Sequence, residues 1–337
     1  MNIWLTTLCN LKCKYCYEKN IVKKHNNMTY KIAEEVLEYI EENFKQLYKV
    51  NFHGGEPFLN FEIMKYLTEN LVSENANIQI GFTTNGTVWN EDIKKFLIKY
   101  RKNFKCGVSV SIDGNEKIHD LNRISKNNEG SYKVVVKTID ELTQIFDFVR
   151  GRMTVTAGTA EYISESVTHL FELGLNPISH AFDLKDKNWN MDILKKIENE
   201  YDKVFKFWKV NKNINISYID EIRYKKCIGR CVCSPNIYID GDIYPCMEVT
   251  GNDKYKIGNI KNGLDNDIID NMNTKFRMDN LFCEKCNNKK MCIHNRCKLI
   301  NDSINGDLFK PSEFGCAMER VKLSVFNKYK KYGLIDE

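Results

Sequence analysis

The chain has 337 residues, of which 42% are hydrophobic and 28% charged, and its net charge is +5. This length suits one large or two moderate domains, and so small a charge, spread along the chain, argues against a dedicated nucleic-acid surface. No apolar run is long enough to span a membrane, and the first eight residues lack the features of a signal peptide, so we expect a cytoplasmic protein. Its 13 cysteines then indicate metal binding rather than disulfides.

Short β-like runs alternate with amphipathic helices in the first two thirds of the chain. The strand candidates are Asn2–Leu8, Lys49–His53, Asn77–Thr84, Cys106–Ile112, Arg150–Thr156 and Pro177–Phe182. Helix candidates include Tyr30–Tyr48, capped by Thr29 or Asn27, and Asn90–Arg101. Six strand–helix units predict a parallel sheet with helices on its outer face. Because a closed barrel has eight strands, we expect an α/β fold built on an open, partial (β/α)6 barrel.

Apolar and polar residues alternate within these strands. In the second strand, Val50 and Phe52 share one face, and Asn51 and His53 share the other. Since successive side chains of a strand point to opposite faces, the apolar face should pack on the helices and the polar face should line a lumen. A packed barrel core would be apolar, so a polar lumen predicts room for a polar ligand.

Three cysteines, Cys9, Cys13 and Cys16, follow the first strand with the spacing Cys-x3-Cys-x2-Cys. Three thiolates on one loop can hold three irons of a four-iron cluster and leave the fourth iron open to an outside ligand, whereas a closed zinc site needs a fourth protein ligand. With Tyr15 before the last cysteine, the spacing resembles that of radical S-adenosylmethionine (radical SAM) enzymes. A zinc knuckle and unrelated buried thiols are the alternatives.

Three further signals follow the next strands, where barrel-type folds place their function. They are His53-Gly54-Gly55-Glu56-Pro57, Thr84-Asn85-Gly86 and Ser111-Ile112-Asp113-Gly114. Each alone reads as a turn, but together they define one rim. By the same resemblance, Gly54, Gly55 and Glu56 match the segment that receives the methionine amino group of the cofactor. Ser111 matches a position that contacts its polar groups.

The stretch from Ser111 to Arg123, SIDGNEKIHDLNR, is similar to a pattern of radical SAM enzymes that carry a SPASM domain. The resemblance implies that Arg123 holds the methionine carboxylate of the cofactor. Arg152, on the polar face of the fifth strand, is a rival for that role. For both arginines the alternative is a salt bridge.

A second group of cysteines begins at Cys227, where nine fall within ninety residues. The run Cys283-x2-Cys286-x5-Cys292-x4-Cys297 is preceded by Gly241-x4-Cys246 and followed by Cys316. This resembles the SPASM pattern, which binds two auxiliary four-iron clusters, although the family usually has three residues rather than four between the third and fourth cysteines. A zinc ribbon is the alternative for this region.

The resemblance also implies how these cysteines are shared. The second auxiliary cluster would be held by Cys283, Cys286, Cys292 and Cys316. The first would be held by Cys246, Cys297, Cys231 and either Cys227 or Cys233. We expect a radical SAM partial barrel at 1–205, a linker at 206–226, the SPASM domain at 227–322, and a closing helix and tail at 323–337.

The function implied by the resemblance is a peptide maturase. A reduced cluster would cleave S-adenosylmethionine to a 5′-deoxyadenosyl radical, which takes a hydrogen atom from a ribosomally made peptide and leads to a thioether or carbon–carbon crosslink. An anaerobic sulfatase maturase, which makes formylglycine, is the first alternative. Such enzymes usually carry Asp just after the cysteine that matches Cys246, where Met247 and Glu248 stand here, and commonly Gln at the position of His53. A non-catalytic, metal-stapled binding protein is the second alternative.

Glu248, as a base, and His53 are the candidate catalytic residues. The implied cofactors are S-adenosylmethionine and three [4Fe-4S] clusters, one that binds S-adenosylmethionine and two auxiliary. The implied partners are a peptide or protein substrate and a reductant such as flavodoxin or ferredoxin. Because the chain begins at its first strand, we expect any leader peptide to be recognised by a separate protein or at an exposed sheet edge.

Overall fold

The computed structural model describes residues 1–20, 26–46, 49–105, 107–217, 219, 235–278, 280–289, 292 and 297–331. The strands are β1 (Asn2–Thr6), β2 (Lys49–Gly54), β3 (Gln79–Thr84), β4 (Val108–Ser111), β5 (Arg150–Val155), β6 (Ile178–Phe182), β7 (Asn236–Ile237), β8 (Asp242–Tyr244), β9 (Gly258–Asn259) and β10 (Gly263–Leu264).

The helices alternate with the first six strands and then continue into the cysteine-rich region. They are α1 (Tyr30–Asn43), α2 (Phe61–Glu74), α3 (Glu91–Lys99), α4 (Arg101–Phe104), α5 (Glu116–Asp120), α6 (Tyr132–Ile145), α7 (Ile163–Glu172), α8 (Met191–Val210), α9 (Asn266–Arg277), α10 (Lys298–Asn305) and α11 (Glu313–Lys331). No described helix is both long and apolar enough to cross a membrane.

Two compact units make up the chain: Met1–Ile112, His119–Arg150 and Val232–Asn271 form the first, and Asp113–Ile118, Gly151–Cys231 and Met272–Glu337 the second. Because their segments interleave along the chain, the units do not test the domain limits expected from the sequence, which stay a prediction.

The first unit contains a sheet in the order β10-β9-β8-β7-β1-β2-β3-β4. Strands β1 to β4 are parallel to their neighbours, and β1 is also parallel to β7. The remaining pairs, from β7 to β10, are antiparallel. Because β1 to β4 run in the same direction, their carboxyl ends lie at one edge of the sheet.

The predicted alternation of faces is seen in β2. Val50 and Phe52 are fully buried, whereas Asn51 and His53 are half-buried. In β4 the burial does not alternate, because Ser109 is buried together with Val108 and Val110. The buried face packs on amphipathic helices, as the period-two pattern requires.

Helix α1 begins at the predicted cap, because the Thr29 side chain accepts a hydrogen bond from the Ile32 backbone N–H. It ends earlier than predicted, at Asn43, where Phe44 N–H donates to Ile40 O and its ring packs edge-on against Tyr39. The aromatic contact thus ends a helix that periodicity alone extended to Tyr48, a residue outside the described part of the chain.

The second unit contains the parallel pair β5 and β6. Its long helices α8 and α11 pack together through the stacked rings of Phe205 and Tyr329, whose centroids are 4.3 Å apart. Trp189 and Phe314 stack in the same way at 4.0 Å. The first unit holds four parallel strands and the second unit holds two, each followed by a helix, so the predicted α/β class is confirmed.

Candidate functional site

The cysteine loop, defined as residues 9–16, leaves the end of β1 at the edge where β1 to β4 terminate. Its entry is bound to the end of β2, since Gly55 N–H donates to Thr6 O at 3.0 Å and Glu56 N–H donates to Leu8 O at 2.8 Å. A Cβ atom on Gly54 would lie 2.1 Å from Thr6 O, and one on Gly55 would lie 2.3 Å from Leu8 O. Both glycines are therefore required for backbone to pack against backbone here.

The far side of the cysteine loop is bound to residues 122–124. Lys12 N–H donates to Ile124 O at 2.8 Å, and Lys14 N–H donates to Asn122 O at 2.9 Å. The guanidinium of Arg123 lies over the Tyr15 ring, 5.3 Å from its centroid, within the range of a cation–π interaction. The structure thus places the predicted carboxylate ligand Arg123 beside the cysteine loop, which supports that prediction without testing it.

A buried clamp holds Arg123 in this position. His119 Nε2 and Ser131 Oγ are 2.9 Å apart, and Ser131 Oγ donates to Arg123 O at 2.7 Å. Asp120 Oδ1 accepts from Ser131 N–H at 2.9 Å. Burial, aided by the charge of Arg123, lowers the pKa of His119 to about 3, so the imidazole is neutral. Sequence reasoning missed this clamp, although His119 and Asp120 belong to the motif it singled out.

The sequence predicts that Glu56 binds the ammonium group of the cofactor, but in the structure its carboxylate is bonded to other groups of the protein. Its carboxylate is fully buried and accepts hydrogen bonds from Thr84 Oγ1 at 2.8 Å, Asn85 N–H at 2.6 Å and Phe58 N–H at 3.2 Å. Burial raises its pKa to about 7, against the effect of these donors. Glu56 therefore ties the end of β2 to the end of β3, and its contact with an ammonium stays a prediction.

The segment after β3 touches the cysteine loop directly. Asn85 Nδ2 donates to Asn10 Oδ1 at 2.9 Å and lies 3.7 Å from Cys9 Sγ. Sequence reasoning read Thr84-Asn85-Gly86 as part of the rim but missed Asn10 and Thr87, which complete the polar network. No local signal marks such a network, because its members are up to 77 residues apart.

The thiols of Cys9, Cys13 and Cys16 are half-buried and are not disulfide-bonded. Burial raises the pKa of Cys9 to about 12, although the Leu11 backbone N–H opposes the rise. A bound metal would displace that proton. Among the described residues, no group of three or more His, Cys, Asp or Glu side chains fits a single metal ion. Three thiol side chains on one loop are the donor type that holds iron–sulfur clusters.

The remaining predicted residues are spread over both units. His53 pairs with Trp4 across β1 and β2, and the two rings stack with centroids 5.2 Å apart. Ser111 ends β4 and is half-buried, Arg152 is half-buried in β5 of the second unit, and Glu248 lies in a short 3-10 turn of the first. Their roles stay predictions.

Three carboxyl-terminal cysteines come together in the second unit. Burial and the neighbouring Cys286 raise the pKa of Cys283, which the ammonium of Lys298 opposes, and burial and Cys283 raise the pKa of Cys316. Lys298 is only 1% exposed, with Nζ 5.1 Å from the Phe309 ring centroid. This group, Cys283, Cys286 and Cys316, contains three of the four ligands predicted for the second auxiliary cluster.

Three further predicted cluster ligands lie on other segments of the chain. Cys292 is buried in the second unit, Cys297 immediately precedes α10, and Cys246 precedes the 3-10 turn that holds Glu248. Cys227, Cys231 and Cys233 lie outside the described residues, as does Cys106. The ligand set of the first auxiliary cluster therefore stays a prediction.

Comparison with known proteins places this site in a family. Residues 4–174 match the radical SAM superfamily. A cysteine-type anaerobic sulfatase-maturating enzyme of Clostridium novyi (strain NT) is 28% identical over 327 residues, which cover 84% of this chain and 83% of that enzyme.

Two solved structures share the fold. Native anSMEcpe with bound AdoMet and Cp18Cys peptide matches 99% of this chain and 97% of its own, with a TM-score of 0.79 and 22% identity. Streptococcus suis SuiB bound to precursor peptide SuiA matches 94% of this chain and 75% of its own, with a TM-score of 0.68 and 19% identity.

The family match covers half of the chain and includes the cysteine loop, the Gly-Gly-Glu segment and the Asn85 network. Membership implies an enzyme that uses S-adenosylmethionine and a [4Fe-4S] cluster, and it excludes the non-catalytic binding protein. This chain belongs to the radical SAM superfamily.

Proposed function

We propose that this enzyme is a radical SAM/SPASM peptide maturase that acts on a ribosomally made peptide and forms a thioether or carbon–carbon crosslink. The observation that carries the proposal is the presence of two separate thiol groups, the cysteine loop in the first unit and Cys283, Cys286 and Cys316 in the second. A single radical-generating cluster needs only the first group. The second group supports one auxiliary cluster, and a further auxiliary cluster at Cys246 and Cys297 would bring the proposed total to three.

The residues of the first unit would hold the cofactors. Cys9, Cys13 and Cys16 would ligate the cluster, and Arg123, fixed by the His119–Ser131 clamp, would hold the methionine carboxylate of S-adenosylmethionine. When bound, S-adenosylmethionine and the reduced cluster supply a 5′-deoxyadenosyl radical that removes a hydrogen atom from the substrate. The half-buried polar residues Asn51, His53 and Ser111 would orient polar groups on the polar face of the sheet.

The cofactors would carry out the chemistry, and the protein would bind them and exclude water. Burial of Glu56 and Asn85 at the strand ends, and of Arg123 beside the cysteine loop, keeps water from the polar groups that surround the loop. The substrate would be a peptide or protein. Glu248 is proposed as a base that accepts a proton from this substrate. A separate leader-binding protein and a flavodoxin or ferredoxin are the proposed partners.

The similarity to sulfatase-maturating enzymes favours a second candidate, the oxidation of a Cys or Ser residue to formylglycine. Two positions speak against it. Met247 and Glu248 stand where Asp is usual after the cysteine, and His53, which stacks on Trp4, stands where Gln is common.

Anaerobic reconstitution with iron and sulfide tests the proposal. We expect about 12 irons per chain, as three four-iron clusters, and 5′-deoxyadenosine release on reduction. Mass spectrometry of a Cys-rich peptide encoded beside the gene should show the loss of two hydrogen atoms per crosslink. Formylglycine in a sulfatase-derived peptide, with no crosslinked product, would establish the second candidate instead.

A further inference from the structure

The side-chain amide of Asn85 faces the sulfur of Cys9. Asn85 Nδ2 lies 3.7 Å from Cys9 Sγ, within the range of an N–H···S hydrogen bond, and Asn85 is only 8% exposed. Because Asn85 is buried, water competes little for its amide, so the contact is stronger than it would be on the surface.

The orientation of the amide is determined by its oxygen. Asn85 Oδ1 accepts from Thr87 N–H at 2.9 Å and from Thr87 Oγ1 at 2.6 Å. A backbone N–H can only donate, so the oxygen must face Thr87 and the NH2 group must face Cys9. Asn10 Oδ1 accepts the other amide proton at 2.9 Å.

The network is also rigid. Asn10 Nδ2 donates to Thr87 Oγ1 at 2.7 Å, which closes a ring of hydrogen bonds through Asn85. Asn85 N–H donates to the buried carboxylate of Glu56 at 2.6 Å. The donor aimed at Cys9 is thus held in place from both its side chain and its backbone.

We propose that Asn85 is a positioning residue that donates a hydrogen bond to the Cys9 thiolate and so raises the reduction potential of the cluster at Cys9, Cys13 and Cys16. One-electron reduction places more negative charge on the cluster and its thiolate ligands, and a donor to one of these sulfurs stabilises the reduced state more than the oxidised state. The inference rests on the proposed function, since it requires the cluster.

Two variants and one control test the inference in the reconstituted enzyme. Asn85→Ala removes the donor. Thr87→Val keeps Asn85 but removes the hydroxyl that orients it. Asn103→Ala is the matched control, because Asn103 is also 8% exposed and its Nδ2 donates to the backbone oxygens of Ala76 and Ile78, away from the cysteines. Iron per chain is measured for each, followed by an EPR-monitored redox titration of the signal that changes when S-adenosylmethionine is added.

We expect Asn85→Ala to retain its iron and to titrate at a lower potential than the wild type. Thr87→Val should shift in the same direction by less, and Asn103→Ala should not shift. Asn85→Ala at the wild-type potential would overturn the inference and leave the proposed function standing. If Asn85→Ala loses the iron of this cluster, Thr87→Val provides the test: a lower potential supports the inference, and the wild-type potential overturns it. A wild-type protein that binds no iron would instead overturn the proposed function.

Discussion

The cysteine loop and the carboxyl-terminal cysteine group are held in different ways. The cysteine loop is bound by backbone hydrogen bonds to segments far away in the chain, at Glu56 and at residues 122–124. In the carboxyl-terminal group, Cys283 N–H donates to Asn280 O and Cys286 N–H to Cys283 O, within short turns. Leu281 and Phe282 beside them are 79% and 70% exposed.

This difference suggests two ways of building a cluster site. The long-range hydrogen bonds of the cysteine loop do not involve iron, so we expect the loop to keep its shape without it, whereas we expect the local turns around Cys283 to depend more on the metal. Short turns with exposed apolar neighbours have the features of low local stability. Five experiments test this difference between the two cysteine groups.

The largest effect is expected from the triple replacement Cys9→Ala/Cys13→Ala/Cys16→Ala. It should abolish the cleavage of S-adenosylmethionine and lower the iron content by about four per chain. Because backbone hydrogen bonds hold the loop, the free energy of unfolding of the metal-free protein should change by less than about 1 kcal/mol. Urea unfolding checks this, and a larger loss would show that the thiols themselves support the loop.

Removal of iron with a chelator should unfold the segment around Cys283 and Cys286 before the cysteine loop. We expect limited proteolysis to cut between Asn280 and Cys292 many times faster in the metal-free protein than in the loaded one, with little change at residues 9–16. Peptide mapping by mass spectrometry locates the cuts. Equal acceleration of cleavage at both segments would show that both cysteine groups depend on iron to the same extent.

Replacement of the buried carboxylate by Glu56→Ala should destabilise the first unit by about 3 kcal/mol, because three donors lose their acceptor. Glu62→Ala is the control, since Glu62 is 66% exposed in its pair with Lys65 and its loss should cost less than about 0.5 kcal/mol. Glu56→Gln separates the two roles of this residue. If the affinity for S-adenosylmethionine falls as much in Glu56→Gln as in Glu56→Ala, the charge of Glu56 contacts the cofactor.

His119 and His180 should each contribute a loss of stability in acid. Burial lowers the pKa of both from 6.5 to about 3, so at these two sites the unfolded chain binds protons that the folded chain does not. The contribution of each histidine is lost as the pH falls from about 6.5 towards about 3, and amounts to about 1 kcal/mol between pH 7.5 and 5.5. Glu56, whose pKa burial raises to about 7, contributes in the opposite direction over this range, so the prediction concerns the difference between the wild type and His180→Phe. Urea unfolding at the two pH values measures the loss, and His180→Phe should reduce it by about that amount. An unchanged pH dependence in His180→Phe would contradict this assignment.

The smallest effect is expected at the exposed pair beside Cys283. Leu281→Ser and Phe282→Ser should each change the free energy of unfolding by less than about 0.5 kcal/mol, because both side chains lie in water. Thermal or urea unfolding provides the test. A loss of about 2 kcal/mol would mean that these side chains are packed in solution.

Much of this architecture follows from local pattern. Period-two alternation located β2 to β5 and matches the burial pattern in β2 and β5, and the cysteine spacing identified the loop after β1. The parallel arrangement then put the Gly-Gly-Glu, Thr-Asn-Gly and Ser111 segments at one edge. These predictions succeed because they depend on residue spacing and strand direction alone.

The rest depends on contacts that join residues far apart in the chain. The residue type of Glu56 suggests a charge that meets a ligand, but its burial and its bonds to β3 arise only when β2 and β3 pair. The ring through Asn10, Asn85 and Thr87 and the clamp at His119 have the same origin. The end of α1 depends on an aromatic contact that periodicity does not encode.

Gly54 and Gly55 set a limit on how this enzyme can change. Each would place a Cβ atom against a backbone oxygen of residues 6–8, which no side-chain rotation can relieve, and Gly54 has a φ of +143°. A saturation library at these two positions should therefore return glycine at both. Evolution toward a new substrate has to proceed at the half-buried polar positions of the strands, while the joint that carries the cysteine loop stays invariant.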